Sequence, residues 1–398
     1  MSQEALLPVQ EIGSLAKPTW RIKALSKDKS VSDADVAAAR AHAERVGLDE
    51  ADELVGLLRR RTLGKKDRAR LKRLSSLHAL RLLEHMDLDW VYDGEQLRTE
   101  MYDEAMRHVA NAEPRGWVRS FDNRYYVKQA ITGVPAARKA YHLDEFTWLA
   151  GVARQPLKVP ITGPYTLMDW SYDEHYARTD GSDLFGSAGR RRKARARREL
   201  ALDLARNVIR PNLEALISAG ARRVQIDEPA ATTVPEEVPV VVEAFNEAVR
   251  GLDADFSIHV CFSDYSLLFP HILELEGCAE FALEFANDDL WTRGTGHDER
   301  PGYAILRTFA DHDAPFRIGV GVTDIHTDRL ESTELVADRL EYAVRTLGDP
   351  ASVAANPDCG LRTRSWDVSE AKLATIVEAT RIVRGAFGAE AEAITGSP

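Results

Sequence analysis

Eight short runs of β-branched and apolar residues recur along this 398-residue chain, and helical patterns fill most of the gaps between them. The runs are LPVQEIGS (7–14), DLDWVYDGE (87–95), LKVPITGP (157–164), RRVQIDEP (222–229), FSIHVCF (256–262), EFALEFAN (280–287), RIGVGVTDI (317–325) and SVAANPDCG (352–360). Helical spacing of apolar residues covers 200–220, 238–252, 332–348 and 367–387. Strands alternating with helices imply parallel βαβ units, and eight such units predict a (β/α)8 TIM barrel. The length alone points to two or three domains, but an α/β barrel accommodates residues 1–387 as one catalytic domain, with 388–398 as a disordered tail.

Two regions exceed a minimal barrel. Residues 33–86 read as an N-terminal helical insertion, with Asp33 or Asp35 as the N-cap of its first helix. Residues 113–146, rich in aromatics and glycine, read as an extended hairpin and loop over the barrel mouth. The basic stretch GRRRKARARREL (189–200) reads as a solvated helix start, with a site for a polyanionic tail such as polyglutamate as the alternative. A net charge of -11 argues against a nucleic-acid partner, because phosphate binding needs a basic surplus. The start MSQEALLPVQ does not read as a signal peptide, and no apolar run is long enough to span a bilayer. Three cysteines, at 261, 278 and 359, make no disulfide framework and fit a reducing cytoplasm.

In such a barrel, chemistry sits where the strands end on one face. Ser14, Glu95, Asp227, Glu228, His259, Cys261, Glu284, Asp324, His326 and Cys359 all stand at or just past the ends of the runs. His259 and Cys261 are two residues apart on one strand and share a face. With Glu284 and Cys359 they form a set of imidazole, two thiolates and a carboxylate that suits Zn2+. Cys278 reads as a small buried hydrophobe.

The motifs EIGS (11–14), ITGPYTLMDWS (161–171), QIDEPA (225–230), HVC (259–261), DIH (324–326) and NPDCGLRTRSW (356–366) together resemble the cobalamin-independent methionine synthase family. The resemblance is to its C-terminal catalytic barrel, over about residues 7–387. It implies zinc held by His259, Cys261, Glu284 and Cys359, and homocysteine lying against Ile12, Gly13 and Ser14 with its amino group facing Glu95 and Asp227. It implies His326 as the proton-transfer residue, Trp170 stacked on the donor, and Arg124 and Tyr125 near the donor's tail. Full-length members carry two barrels, so this chain resembles the single-barrel branch. There the methyl donor is either 5-methyltetrahydrofolate or a methylated corrinoid, the latter delivered by a protein partner. The alternative is alkyl transfer or a lyase reaction on another thiol, as in epoxyalkane:coenzyme M transferase-like relatives.

The residues themselves favour the first reading. Glu95 and Asp227 suit an ammonium group, whereas a sulfonate thiol calls for Lys or Arg. A thiol titrates near 8.5 and becomes the nucleophile only as the thiolate, which a dipositive ion stabilises. Glu284, the hardest of the four ligands, is the one a substrate thiolate displaces. A folate amine leaves only if protonated, a task that falls to His326.

Overall fold

The computed structural model describes residues 6–120, 123–178 and 186–395, the side chains of 120, 123–125 and 389–395 excepted. Its strands are β1 (Val109–Ser120), β2 (Asn123–Ala137), β3 (Lys158–Thr162), β4 (Tyr172–Asp173), β5 (Arg223–Asp227), β6 (Asp255–Val260), β7 (Cys278–Leu283), β8 (Arg317–Gly321) and β9 (Val353–Asn356). The main sheet is parallel, in the order β3-β5-β6-β7-β8-β9. Every residue of β3 and β9 is buried, as expected of parallel strands covered on both faces by crossover helices.

Six of the eight expected strands are therefore present, and the sheet is not a closed eight-stranded one. The first two runs contribute single parallel bridges instead: Val9 to Ala355, Gln10 to Trp90 and Val91 to Leu157. The backbone explains the difference. Pro8 has no N–H for a ladder, and the N–H of Val9 donates to the Asp89 carboxylate at 2.7 Å rather than to a neighbouring strand. Leu7, Asp87 and Glu95 take positive φ, which turns the chain out of the extended form at the ends of both runs.

The insertion consists of helices Asp33–Arg45, Ala51–Arg59 and Lys65–His85. Its first helix is capped by Ser32, whose hydroxyl accepts from the Asp35 N–H. Asp35 is the reciprocal partner of a capping box and not the cap that the sequence suggests. Leu71, Leu74, Leu80, Leu82 and Leu83 bury the long third helix. His42 and His78 of the insertion pack against Trp366, whose indole N–H donates to the Ala16 carbonyl at 2.8 Å. The insertion thus buttresses the loop that follows Ser14.

Where a hairpin and loop are expected over 113–146, β1 and β2 form a hairpin that starts at Val109 and ends at Ala137, and a helix begins at Leu143; β4 adds a short parallel edge to β2. Two anchors tie β2 down: Val127 N–H to Asp103 at 2.8 Å, and Gln129 N–H to the Tyr102 hydroxyl at 3.1 Å. The last helix runs Trp366–Thr395, so the backbone is helical past residue 388, where the sequence predicts a disordered tail. Residues 396–398 lie outside the described ones.

Candidate active site

Parallel register lines up the site. Thr162, Asp227, His259 and Ala282 are partners in one row across β3, β5, β6 and β7. The His259 Nδ1–H donates to the Ala282 carbonyl at 3.1 Å, which fixes the tautomer and leaves the Nε2 lone pair free. Nε2 lies 3.4 Å from the Cys359 sulfur. The ligand atoms of His259, Cys261 and Cys359 all fall within 4.8 Å of one another. Tetrahedral zinc with the usual bond lengths sets its ligands about 3.3–3.8 Å apart, so this group can hold a metal ion. Contact with the Cys261 side chain, then burial, holds the Cys359 thiol well above the ordinary thiol range on protein atoms alone, a repulsion that a dipositive ion reverses.

Glu284, the fourth expected ligand, is not among these three. Its Oε1 lies 2.6 Å from His326 Nε2, and its Oε2 accepts the Phe262 N–H at 2.8 Å. That pairing raises the pKa of His326, which sits half-exposed at the mouth. Phe262 is 77% exposed, has φ 55°, and sets its ring edge-on to His326. Both ends of the Glu284 carboxylate are therefore occupied by residues at the rim.

The residues expected to hold the substrate lie near this group. A side chain at Gly360 would meet Ser14 Oγ at 2.9 Å and Ser14 N at 3.0 Å, so the glycine after Cys359 lets the two segments touch. The Ile12 carbonyl accepts from Gln225, which also donates to Asp227 at 2.7 Å. Gly13 separates Ile12 from Ser14, with open space where a side chain would stand. Burial, then the Glu95 charge, push Asp227 up to about 7, against the opposing pull of His259, Gln225 and Lys158. Glu95 itself is bonded by Arg98 at 3.1 Å.

Trp170 closes the helix Pro164–Asp169 and stacks on Tyr126 of the hairpin, with ring centroids 5.0 Å apart and planes 9° apart. The side chains of Arg124 and Tyr125 lie outside the described residues. The basic run starts the helix Gly186–Leu204, and Arg190, Arg192, Lys193 and Arg197 join Lys128 and Tyr172 around a cavity of about 590 Å³.

Sequence reasoning placed Glu228 at a strand end without its task, and passed over Asp358; both carboxylates hold these loops. Glu228 accepts from the N–H groups of Tyr165 and Thr166 and from the Thr166 hydroxyl, at 2.9, 2.7 and 2.6 Å. Any side chain at Gly163 would collide with it at 2.2 Å. Glu228 thereby satisfies the first N–H groups of the helix Pro164–Asp169, which Trp170 follows. Asp358 accepts from the N–H groups of Phe285, Ala286 and Asn287, each at 2.9 Å, and fixes the turn after Glu284. The signal was present as acids inside IDEP and NPDCG, beside the residues that drew attention first.

Residues 50–382 match the family described as cobalamin-independent synthase, catalytic domain. A methionine synthase of Thermoplasma acidophilum is 40% identical over 315 residues, covering 75% of this chain and 85% of the relative. One from Thermococcus kodakarensis is 30% identical over 385 residues, covering 95% and 94%. A solved B12-independent methionine synthase from Shewanella sp. W3-18-1, in complex with selenomethionine, superposes with TM-score 0.68 over 97% of this chain and 100% of that one. Its sequence identity is 22%, so this likeness speaks for the fold alone.

Proposed function

The chain belongs to the cobalamin-independent methionine synthase family, and on that premise we infer that it is a homocysteine methyltransferase that makes methionine. The observation that carries the reading is the convergence of His259, Cys261 and Cys359 within 4.8 Å, with Asp227 the register partner of His259 on the neighbouring strand. The donor set, one imidazole and two thiols, suits zinc. Zinc, when bound there, supplies the charge that keeps the substrate sulfur a thiolate at neutral pH.

The chain's own residues do the rest. Asp227 and Glu95 take the substrate ammonium, while the Ile12–Ser14 segment, pressed against Gly360, lays the amino acid beside the cysteines. Glu284, whose carboxylate is bonded to His326 and the Phe262 N–H, would be the exchangeable fourth ligand. His326, whose proton affinity Glu284 raises, delivers a proton to a folate leaving group. The donor enters against Trp170. The cationic cavity beside it suits the carboxylates of 5-methyltetrahydrofolate or the phosphate of a methylated corrinoid, and the latter calls for a delivering partner. We also read the bridges at Val9, Gln10 and Val91 as the seams of a closed (β/α)8 barrel with runs 7–14 and 87–95 as its first two staves. Among the described residues no helix is long and apolar enough to cross a membrane, and free thiols at 261, 278 and 359 suit the reducing cytoplasm.

The test is to incubate the zinc-loaded protein and its His326→Ala variant with homocysteine and either methyltetrahydrofolate or methylcobalamin, and to quantify methionine. Methionine from one donor establishes the activity and identifies that donor. The variant should lose turnover with the folate and keep it with methylcobalamin, whose leaving group needs no proton. No methionine from either donor, with zinc bound, would contradict the reading.

A further inference from the structure

One buried acid beside this site has no task in the scheme above. Glu11 precedes Ile12, is 2% exposed, and neither of its carboxyl oxygens has a hydrogen-bond partner. Next to it Lys158, fully buried, donates to the Glu11 backbone carbonyl at 2.5 Å and to Gln225 Oε1 at 2.6 Å. Gln225 hands its own two hydrogens to the Ile12 carbonyl and to Asp227. One chain of hydrogen bonds therefore runs from Lys158 to both sides of the amino-acid pocket. An orphan buried carboxylate is costly, and a core position with no other duty is better filled by an apolar side chain.

The charged groups acting on Glu11 are Lys158, which attracts, and Glu95, Asp93 and Asp227, which repel. Lys158 in turn feels Glu280, Arg223 and Asp227. Burial raises the affinity of Glu11 for a proton and lowers that of Lys158. An incoming ammonium adds positive charge next to Glu95 and Asp227 and shifts this balance toward the Glu11 carboxylate.

We propose that Glu11 is a positioning residue for the amino-acid end of the substrate. Its carboxyl is protonated while the pocket is empty and loses that proton to solvent when the ammonium enters. The Lys158 ammonium, its charge balanced by the Glu11 carboxylate, then holds Gln225, and through it Asp227 and the Ile12 carbonyl, in the bound arrangement. Only an O–H bond breaks, and the proton leaves to buffer. The inference rests on the reading that this pocket takes an amino acid.

Calorimetric titration of the zinc-loaded protein with L-methionine at pH 7, in phosphate and in Tris, counts the protons. Methionine has the ammonium but no thiol, so released protons come from the pocket. The wild type should release a large fraction of a proton per methionine. Glu11→Gln should release far less and bind roughly tenfold more weakly. That variant leaves Asp227 in place, so any residual release is the share of Asp227. Lys158→Met removes the amine that favours the carboxylate and should move the release to higher pH, a shift that a merely structural lysine would not produce. Undiminished release in Glu11→Gln, an unmoved profile in Lys158→Met, or binding by the wild type without release overturns the proposal. Failure of the wild type to bind methionine overturns the amino-acid reading of the pocket and this inference with it.

Discussion

The two ends of the site are built differently. At the proposed metal and amino-acid end, Asp227 and His259 sit on parallel strands and Cys261 and Glu284 one residue past them, with neighbours fixed by register: Asp227 beside His259, His259 beside Ala282. At the proposed donor end, Trp170 follows a helix of six residues and leans on Tyr126 of a long hairpin tied to Asp103 and Tyr102. Strand ends hold atoms to a fraction of an ångström because the whole sheet resists displacement, whereas a hairpin adapts. The difference suits the chemistry. Methyl transfer demands one sulfur position, while the donor, a large molecule, has to be admitted and released.

Substitutions should separate the two ends. The largest effect belongs to Cys359→Ser. Loss of one of two thiolates should lower zinc affinity by a hundredfold or more, roughly in line with loss of a direct ligand, and abolish methionine formation with either donor. Metal analysis and turnover check it, and circular dichroism should show the fold intact. Next comes Asp227→Asn, which should raise the homocysteine KM by about ten- to a hundredfold with zinc content unchanged, as expected for loss of one charged hydrogen bond. Loss of zinc in that variant would mean Asp227 is part of the scaffold of the metal end. Smallest is Trp170→Ala, which should raise the donor KM about tenfold and leave the homocysteine KM alone, the loss of one aromatic contact. An equal rise in both would erase the distinction between the ends.

Legibility in the sequence follows the same division. His259, Cys261 and Cys359 were readable because a strand end, a period of two and metal-ligand chemistry coincide in a few residues. The six strands of the main sheet were readable because each is a short run holding β-branched or apolar residues between helical patterns. Runs 7–14 and 87–95 look the same as strings, but Pro8, the Asp89 carboxylate and the positive-φ residues at their ends convert most of each into irregular backbone. The partners of Glu284 were not readable. Whether it faces the cysteines or His326 depends on a loop held by Asp358, 73 residues away from Phe285. Glu228 is similar: its three bonds reach across 62 or 63 residues to the segment that carries Trp170. Long-range bonds from a carboxylate to backbone N–H groups leave no periodic trace, only an acid in an otherwise apolar motif.

The central claim is that homocysteine binds at the His259–Cys261–Cys359 group with Glu284 as the ligand that yields. Zinc-edge X-ray absorption tests it directly, with the protein alone and with homocysteine added. The account predicts that the sulfur neighbours of the metal rise by one, from the two cysteines to three, as an oxygen neighbour is lost. An unchanged sulfur count at saturating homocysteine would contradict it.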